Sequence, residues 1–356
     1  AKTMYPDWLS LTGKGYVASM YKQYGKIVSP MGCRAFLSPW YERGGMHPAD
    51  DKDQPVFVGR FNIGAVSLHL PMILAKARKE SRDFYEVLDY YLELIRQLHI
   101  RTYAYLGEMR ASTNPLAYCE GGFLGGHLKL TDKIKPLLKS ATASFGITAL
   151  NELQELYNGK SLVEDGAFAV EVLEHINQKI SEYKEEDGNL YAIYGTPAET
   201  LCYRFARIDR EKYGDISNVT DKGYYTNSYH VDVREKIDAF TKFKIESEFQ
   251  NKSLGGAISY VEVPNLTNNV EAIEEVIRFI YDNIQYGEFN TKSDYCQVCG
   301  YDGEIMINDN MEWECPQCHN KDHAKMNVTR RTCGYLGENF WNAGKTKEIK
   351  ARVLHL

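Results

Sequence analysis

The sequence predicts an α/β fold with active-site loops at the strand ends and a small metal-bound module near the C-terminus. Three observations predict it. Short apolar runs alternate with longer stretches of helical periodicity through most of the 356 residues, as βα units do. The apolar share of 44% is enough for a sizeable core, so the length allows two domains or one large barrel. Four of the eight cysteines form two CxxC pairs, Cys296/Cys299 and Cys315/Cys318, with fifteen residues between the pairs. Four thiolates so spaced can surround one Zn2+. An iron–sulfur cluster is the alternative for four thiolates, and a redox pair fits a doubled motif less well. His319 and His323 are spare donors that a complete four-cysteine site does not need.

Charge and cysteine usage narrow the function. A net charge of -6 gives no global attraction to nucleic acid or to an acidic membrane. No apolar run reaches membrane-spanning length, and no signal peptide is visible. The other cysteines (Cys33, Cys119, Cys202 and Cys333) are scattered, unlike a secreted disulfide framework. Together these features predict a cytoplasmic protein.

Taken in order, Trp8 to Tyr24 is mixed and Gly-punctuated. Ile27 to Pro30 reads as a short strand leading into the turn Met31-Gly32-Cys33-Arg34. Gly44 to Pro55 is a polar surface loop. Phe61 to Leu68 reads as a strand entering a helix, and Asn62 inside it needs hydrogen-bond partners if buried. Leu74 to Leu106 reads as a long helical stretch, with Phe84, Leu88, Tyr91, Leu92, Ile95 and Leu98 at helical spacing. Ala143 to Thr148 is a strand or turn, followed by helices over Ala149 to Tyr157 and Gly166 to Glu186.

Leu190 to Tyr194 is a strand candidate running into Gly195-Thr196-Pro197-Ala198-Glu199-Thr200 and a helix with Leu201, Tyr203 and Phe205. A strand, a Gly-Thr-Pro turn and the free first turn of a helix make an anion site. Glu199 sits awkwardly in such a site, so its carboxylate is expected to point away or to serve as a cap partner. Gly223 to Tyr229 reads as β-rich, with Asn227 and Ser228 lining the same cavity. Leu254 to Val263 reads as a strand entered through a double glycine, and Asn269 to Gln285 as an amphipathic helix.

Near the C-terminus stands Arg331-Thr332-Cys333-Gly334-Tyr335-Leu336-Gly337, then Phe340-Trp341-Asn342-Ala343-Gly344-Lys345 and a basic end. Read locally, Cys-Gly-Tyr is a turn. The longer string resembles the glycyl-radical loop of the class III (anaerobic) ribonucleotide reductases. The resemblance continues through Ser29 to Arg34, Gly59 to Asn62, Ala143 to Gly146, Gly195 to Glu199 and Tyr224 to Ser228. It covers essentially this whole chain, but not the N-terminal portion of the family protein.

The resemblance implies part of a ten-stranded α/β barrel of glycyl-radical-enzyme type, with a C-terminal zinc ribbon and radical loop. On this reading residues 1–288 are the barrel portion with a finger loop, 289–325 the zinc ribbon and 326–356 the radical loop and tail. Gly334 is implied as the radical store, since a glycine Cα radical stays planar between its two amides. Cys33 is implied as the thiyl that removes the ribose 3′-hydrogen. Asn62 is implied near the ribose hydroxyls, and Thr196, Ala198, Glu199 and Thr200 at the substrate phosphates. Met31, two residues before Cys33, resembles the formate-dependent branch, so formate is expected as reductant. The resemblance further implies zinc on the four clustered cysteines and an activating enzyme that uses S-adenosylmethionine and an iron–sulfur cluster. It also implies a second cysteine and allosteric nucleotide sites in an N-terminal portion, and a second copy of the whole. The chain is accordingly expected to be one piece of the enzyme, a truncation or the C-terminal polypeptide of a split reductase. Two other readings are a glycyl-radical lyase, and a zinc-ribbon binding module with the rest as scaffold.

Overall fold

The computed structural model describes residues 7–332, 336–338 and 341–355. A two-residue strand β1 (Trp8–Leu9) precedes helix α1 (Tyr16–Tyr24). Next come β2 (Asn62–His69), α2 (Leu70–Glu80), α3 (Phe84–Gly107) and the short α4 (Pro115–Tyr118). The alternation then continues with β3 (Thr142–Thr148), α5 (Leu150–Asn158), α6 (Ala167–Asp187), β4 (Leu190–Gly195) and α7 (Glu199–Tyr213). After α8 (Ala239–Lys252) follow β5 (Ser259–Glu262), α9 (Val270–Asn283) and β6 (Tyr286–Asn290).

β2, β3 and β4 form a parallel sheet in that order, with Ser67 level with Gly146 and Gly146 level with Tyr194. Side chains alternate across a strand. One face carries Val66, Leu68, Phe145, Ile147, Tyr191 and Ile193, and packs into the main hydrophobic cluster with residues of α2, α3 and α6. The register gives the other face Ala65, Ser67 and His69, then Ser144, Gly146 and Thr148. That face is small and polar, and the candidate site forms there.

A second sheet places β6 between β1 and β5, parallel to β5 and antiparallel to β1. A glycine pair joins the two sheets. Gly255 N–H donates to Ile193 O (2.7 Å), and Gly195 N–H donates to Gly256 O (2.8 Å). Gly256 has φ +155°, and a Cβ there would lie 2.3 Å from the Tyr194 ring, so glycine is required at this joint. The expected α/β class holds. The ten-stranded barrel is not seen: among the described residues the strands form three three-stranded sheets and two two-stranded ribbons, none closed.

The C-terminal portion is built of short pieces. β7 (Asp294–Cys296) pairs with β8 (Asp302–Gly303) and later with β11 (Met326–Asn327), while β9 (Met306–Ile307) pairs with β10 (Trp313–Glu314). β12 (Thr329–Arg331) pairs with β13 (Leu336–Glu338), and helix α10 (Ala343–Ala351) follows. Among the described residues no helix is long and apolar enough to cross a membrane.

Four local expectations need correction. The stretch Leu74 to Leu106 is two helices, because Ser81 turns left-handed (φ 52°) and the Asp83 carboxylate caps α3 by accepting from Tyr85 and Glu86 N–H. Ile27 to Pro30 is not a strand, and neither is Gly223 to Tyr229. The latter coil is pinned by side chains: buried Glu152 accepts from Thr226 N–H (3.0 Å) and from Thr226 Oγ1 (2.6 Å). The strand expected over Leu254 to Val263 is confined to β5, because the glycine pair is spent on the joint to β4.

Candidate active site and cysteine centre

Met31 to Ala35 make a tight turn. Met31 N–H donates to Ala35 O (2.7 Å) and Ala35 N–H returns to Met31 O (3.1 Å), with Gly32 at φ +59°. Met31 and Cys33 are half-buried at its tip. The turn is rooted in the sheet joint: Phe36 N–H donates to Gly255 O (2.9 Å) and Ala257 N–H to Arg34 O (3.1 Å). Arg34 is fully buried, and its Nη1 donates to Gly195 O (3.3 Å) and to Ser228 Oγ (3.4 Å). So the residue after Cys33 ties the turn both to the end of β4 and to the coil with Asn227 and Ser228.

The polar sheet face gathers further residues. Asn62 Nδ2 donates to Ser144 Oγ (2.7 Å), and Asn62 Oδ1 accepts from Gly64 N–H (2.7 Å). Two residues along β3, the Ser67 and Thr196 hydroxyls meet at 2.8 Å above Gly146. A Cβ on Gly146 would lie 2.2 Å from Thr196 Oγ1 and 2.5 Å from Ser67 Oγ, so the glycine makes room for that pair. Ligands of open parallel sheets sit at the carboxyl ends of strands, and the Ser67–Thr196 pair lies at that end. Ser67, Ser144, Gly146 and Arg34 carry no role in the sequence reading. The alternation Ser144-x-Gly146-x-Thr148 of small and polar residues in an otherwise apolar strand is the signal that could have found them.

Helix α7 begins at Glu199, with Ala198 as a cap residue that offers no side-chain bond. Pro197 precedes the helix. Thr196 and Ala198 are buried, and Thr200 is exposed. The Glu199 carboxylate accepts a hydrogen bond from the Thr332 hydroxyl, so it faces the C-terminal segment. Ser228 lies beside Arg34, whereas Asn227 lines a separate small cavity with His230 and Glu262.

Gly334, Cys333 and Tyr335 lie outside the described residues, but the strand leading to them is firmly held. Arg330 is buried and grips Asp294 with two bonds of 2.5 and 2.7 Å, its guanidinium over the Trp313 ring. Arg331 donates from Nε to Phe289 O (2.7 Å) and from Nη2 to Asp7 (2.7 Å). Its Nη1 lies 2.8 Å from Glu288, whose carboxyl burial pushes up to about 9 against the pull of Arg331. Lys345 Nζ donates to Thr332 O (3.1 Å), and Arg352 Nη1 to Arg331 O (2.7 Å).

The four clustered cysteines converge. The Sγ atoms of Cys296, Cys299, Cys315 and Cys318 all lie within 4.8 Å of one another, with Cys296–Cys318 at 3.7 Å and Cys299–Cys315 at 3.6 Å. A tetrahedral site with Zn–S of about 2.3 Å puts neighbouring sulfurs about 3.8 Å apart, so the arrangement fits one such ion. Ile305, Ile307, Trp313, Met326 and Val328 pack around the cluster, together with Ile349 of α10. A bound ion would hold the two knuckles together.

Comparison with known proteins follows the same lines. A family profile described as anaerobic ribonucleoside-triphosphate reductase matches residues 1–355. The chain is 37% identical over 365 residues to the anaerobic ribonucleoside-triphosphate reductase of Haemophilus influenzae, which covers 100% of this chain and 49% of that protein. It is 36% identical over 364 residues to that of Enterobacteria phage T4, covering 100% of this chain and 57% of the phage protein. The chain thus spans about half the length of the curated relatives it matches. A solved anaerobic ribonucleotide reductase superposes with TM-score 0.59 at 19% identity, over 82% of this chain and 44% of that one. The Thermotoga maritima reductase solved with dATP and CTP gives 0.58 at 20%, over 82% and 46%. At such identities the likeness concerns the fold.

Proposed function

The chain belongs to the anaerobic ribonucleoside-triphosphate reductase family, and from that premise we propose that it carries the radical-bearing half of such an enzyme. Gly334 stores the radical and Cys33 relays it to the substrate. The Cys33 thiyl takes the 3′-hydrogen of a ribonucleoside triphosphate, the 2′-hydroxyl takes up a proton and leaves as water, and the 3′-hydrogen returns at the end. Two electrons come from formate, which departs as carbon dioxide, and Met31 beside Cys33 helps to hold it. Asn62 addresses the ribose. The hydroxyls of Thr196 and Ser67, with the first turn of α7 at Ala198 and Thr200, take the triphosphate, and Ser228 orients Arg34 below it. Glu199 serves the C-terminal segment through Thr332.

The observation that carries this reading is the convergence on residues 195–199. Arg34, next to Cys33, reaches Gly195 O, while Thr332, two residues before Gly334, reaches Glu199. The turn with the proposed thiyl and the strand leading to the proposed radical are therefore anchored at the same end of β4. Zinc on Cys296, Cys299, Cys315 and Cys318 keeps the ribbon in shape beside that strand. The partners are a radical-generating activating enzyme with an iron–sulfur cluster, the N-terminal portion of the reductase and a second copy of the whole.

The test is electron paramagnetic resonance after anaerobic activation by such an enzyme. A doublet glycyl signal is expected, with cleavage of the backbone at Gly334 on exposure to air. Gly334→Ala adds a Cβ and should abolish both without unfolding the protein; an undiminished signal in that variant would rule Gly334 out. With the N-terminal portion present, labelled formate should yield labelled carbon dioxide in step with nucleotide reduction. Turnover without it would remove formate and the role of Met31.

A further inference from the structure

Asn227, His230, Glu262 and His355 line a small enclosed cavity, with Lys242 and Glu348 completing its polar wall. They come from the coil after Tyr225, from β5 and from the tail after α10, and each is at most 4% exposed. Each also keeps a buried polar atom without a hydrogen-bond partner: Nδ2 and Oδ1 of Asn227, Nε2 of His230, Oε2 of Glu262 and Nε2 of His355. Native proteins rarely leave such atoms bare, and five around one cavity point to a guest.

The surrounding bonds fix what each atom offers. Glu262 N–H donates to His355 Nδ1 (2.9 Å), so the proton of His355 sits on Nε2. His230 Nδ1 lies 3.2 Å from the Glu246 carboxylate, which can only accept, so His230 carries its proton on Nδ1 and its Nε2 is a bare acceptor. Burial holds both imidazoles below their ordinary value, to about 4 for His230 and about 3 for His355, so each is neutral at pH 7. The cavity therefore presents donors at His355 and Asn227, and acceptors at His230, Glu262 and Asn227. A cation would face the donors and an anion would face Glu262. The space open to the centre of a water molecule is about 10 Å³, room for one water and for nothing larger.

We propose that a single structural water occupies this cavity, accepting from His355 Nε2 and Asn227 Nδ2 and donating to His230 Nε2 and Glu262 Oε2. It ties the tail to the coil that carries Ser228. Arg352, three residues before His355, holds Glu262 Oε1 (2.9 Å) and Arg331 O (2.7 Å), so the network reaches the strand before Gly334. The site stands apart from the catalytic reading, and its test does not use activity.

High-resolution diffraction should show one peak with four contacts of about 2.7–3.2 Å. An empty cavity, or a peak that gives an anomalous signal after a thallium soak and is therefore a monovalent cation, would overturn the proposal. In solution, 15N chemical shifts should report opposite tautomers, Nε2–H for His355 and Nδ1–H for His230; like tautomers would also overturn it. His355→Phe removes a donor and should lose the peak. Its persistence with the other contacts unchanged would show that His355 does not hold the water.

Discussion

At the scale of single residues, the site turns on atoms that are present or missing at one position. Cys33 sits at the tip of a turn whose two ends are hydrogen-bonded to each other, so the thiol is presented without depending on its own contacts. Cys33→Ser should leave the glycyl signal intact after activation and abolish nucleotide reduction, because an alcohol O–H bond is too strong to relay the hydrogen. Paired resonance and turnover assays check this, and reduction retained in the variant would exclude Cys33. Gly146 matters for the opposite reason, through a side chain it lacks. Gly146→Ala drives a Cβ between Ser67 Oγ and Thr196 Oγ1. The expected result is a KM for nucleotide raised about tenfold, roughly 1.4 kcal/mol of binding, with a smaller change in kcat. An unchanged KM would mean that the hydroxyl pair does not touch substrate.

At the scale of elements, β12 is the piece through which the C-terminal portion is fastened. Its two arginines are buried, one gripping Asp294 of the ribbon and the other the β6 strand and Asp7. Removing one member of a buried ion pair leaves the other charge uncompensated. Arg330→Ala should therefore cost about 3–5 kcal/mol of ribbon stability, readable as a lowered denaturation midpoint in urea. A variant as stable as the parent would show that Asp294 is satisfied by other donors. Helices α8 and α10 belong to the same system. They bury Lys242, Glu246 and Gln250 in one case, and Lys345, Thr346 and Glu348 in the other. These polar side chains share their inward faces with Ala239, Phe243 and Phe249 on α8 and with Ile349 on α10, so apolar periodicity alone does not disclose the buried polar contacts.

At the scale of the whole molecule, the sheet and the cysteine centre have separate hydrophobic clusters. The large one stands behind the parallel sheet, and the other surrounds the four cysteines and draws in Met326, Val328, Trp341 and Ile349 from the segment that follows them. Chelating an ion held by the four cysteines should therefore leave the far-UV circular dichroism of the sheet and helices nearly unchanged. It should loosen β12 through Asp294 and Arg330, and the glycyl signal should not form on activation. A full signal in a metal-free preparation would uncouple ribbon from radical loop.

The sequence by itself determined those features that are local in origin. The strands β2, β3 and β4 announce themselves by short apolar runs and the cysteine centre by spacing, because in each case neighbouring residues decide the conformation. The family is legible for a related reason: its motifs are contiguous strings at the turn of Cys33 and around Gly334. Tertiary structure alone decided what those strings meet. Nothing near Glu199 in sequence says that its carboxylate holds Thr332, or that Arg34 reaches Ser228, since these contacts join residues more than a hundred positions apart. Nor could sequence place Asn227, whose neighbour Thr226 is held by Glu152 and which shares a cavity with the tail. Buried polar pairs obey no period, and only the folded chain brings donor and acceptor together.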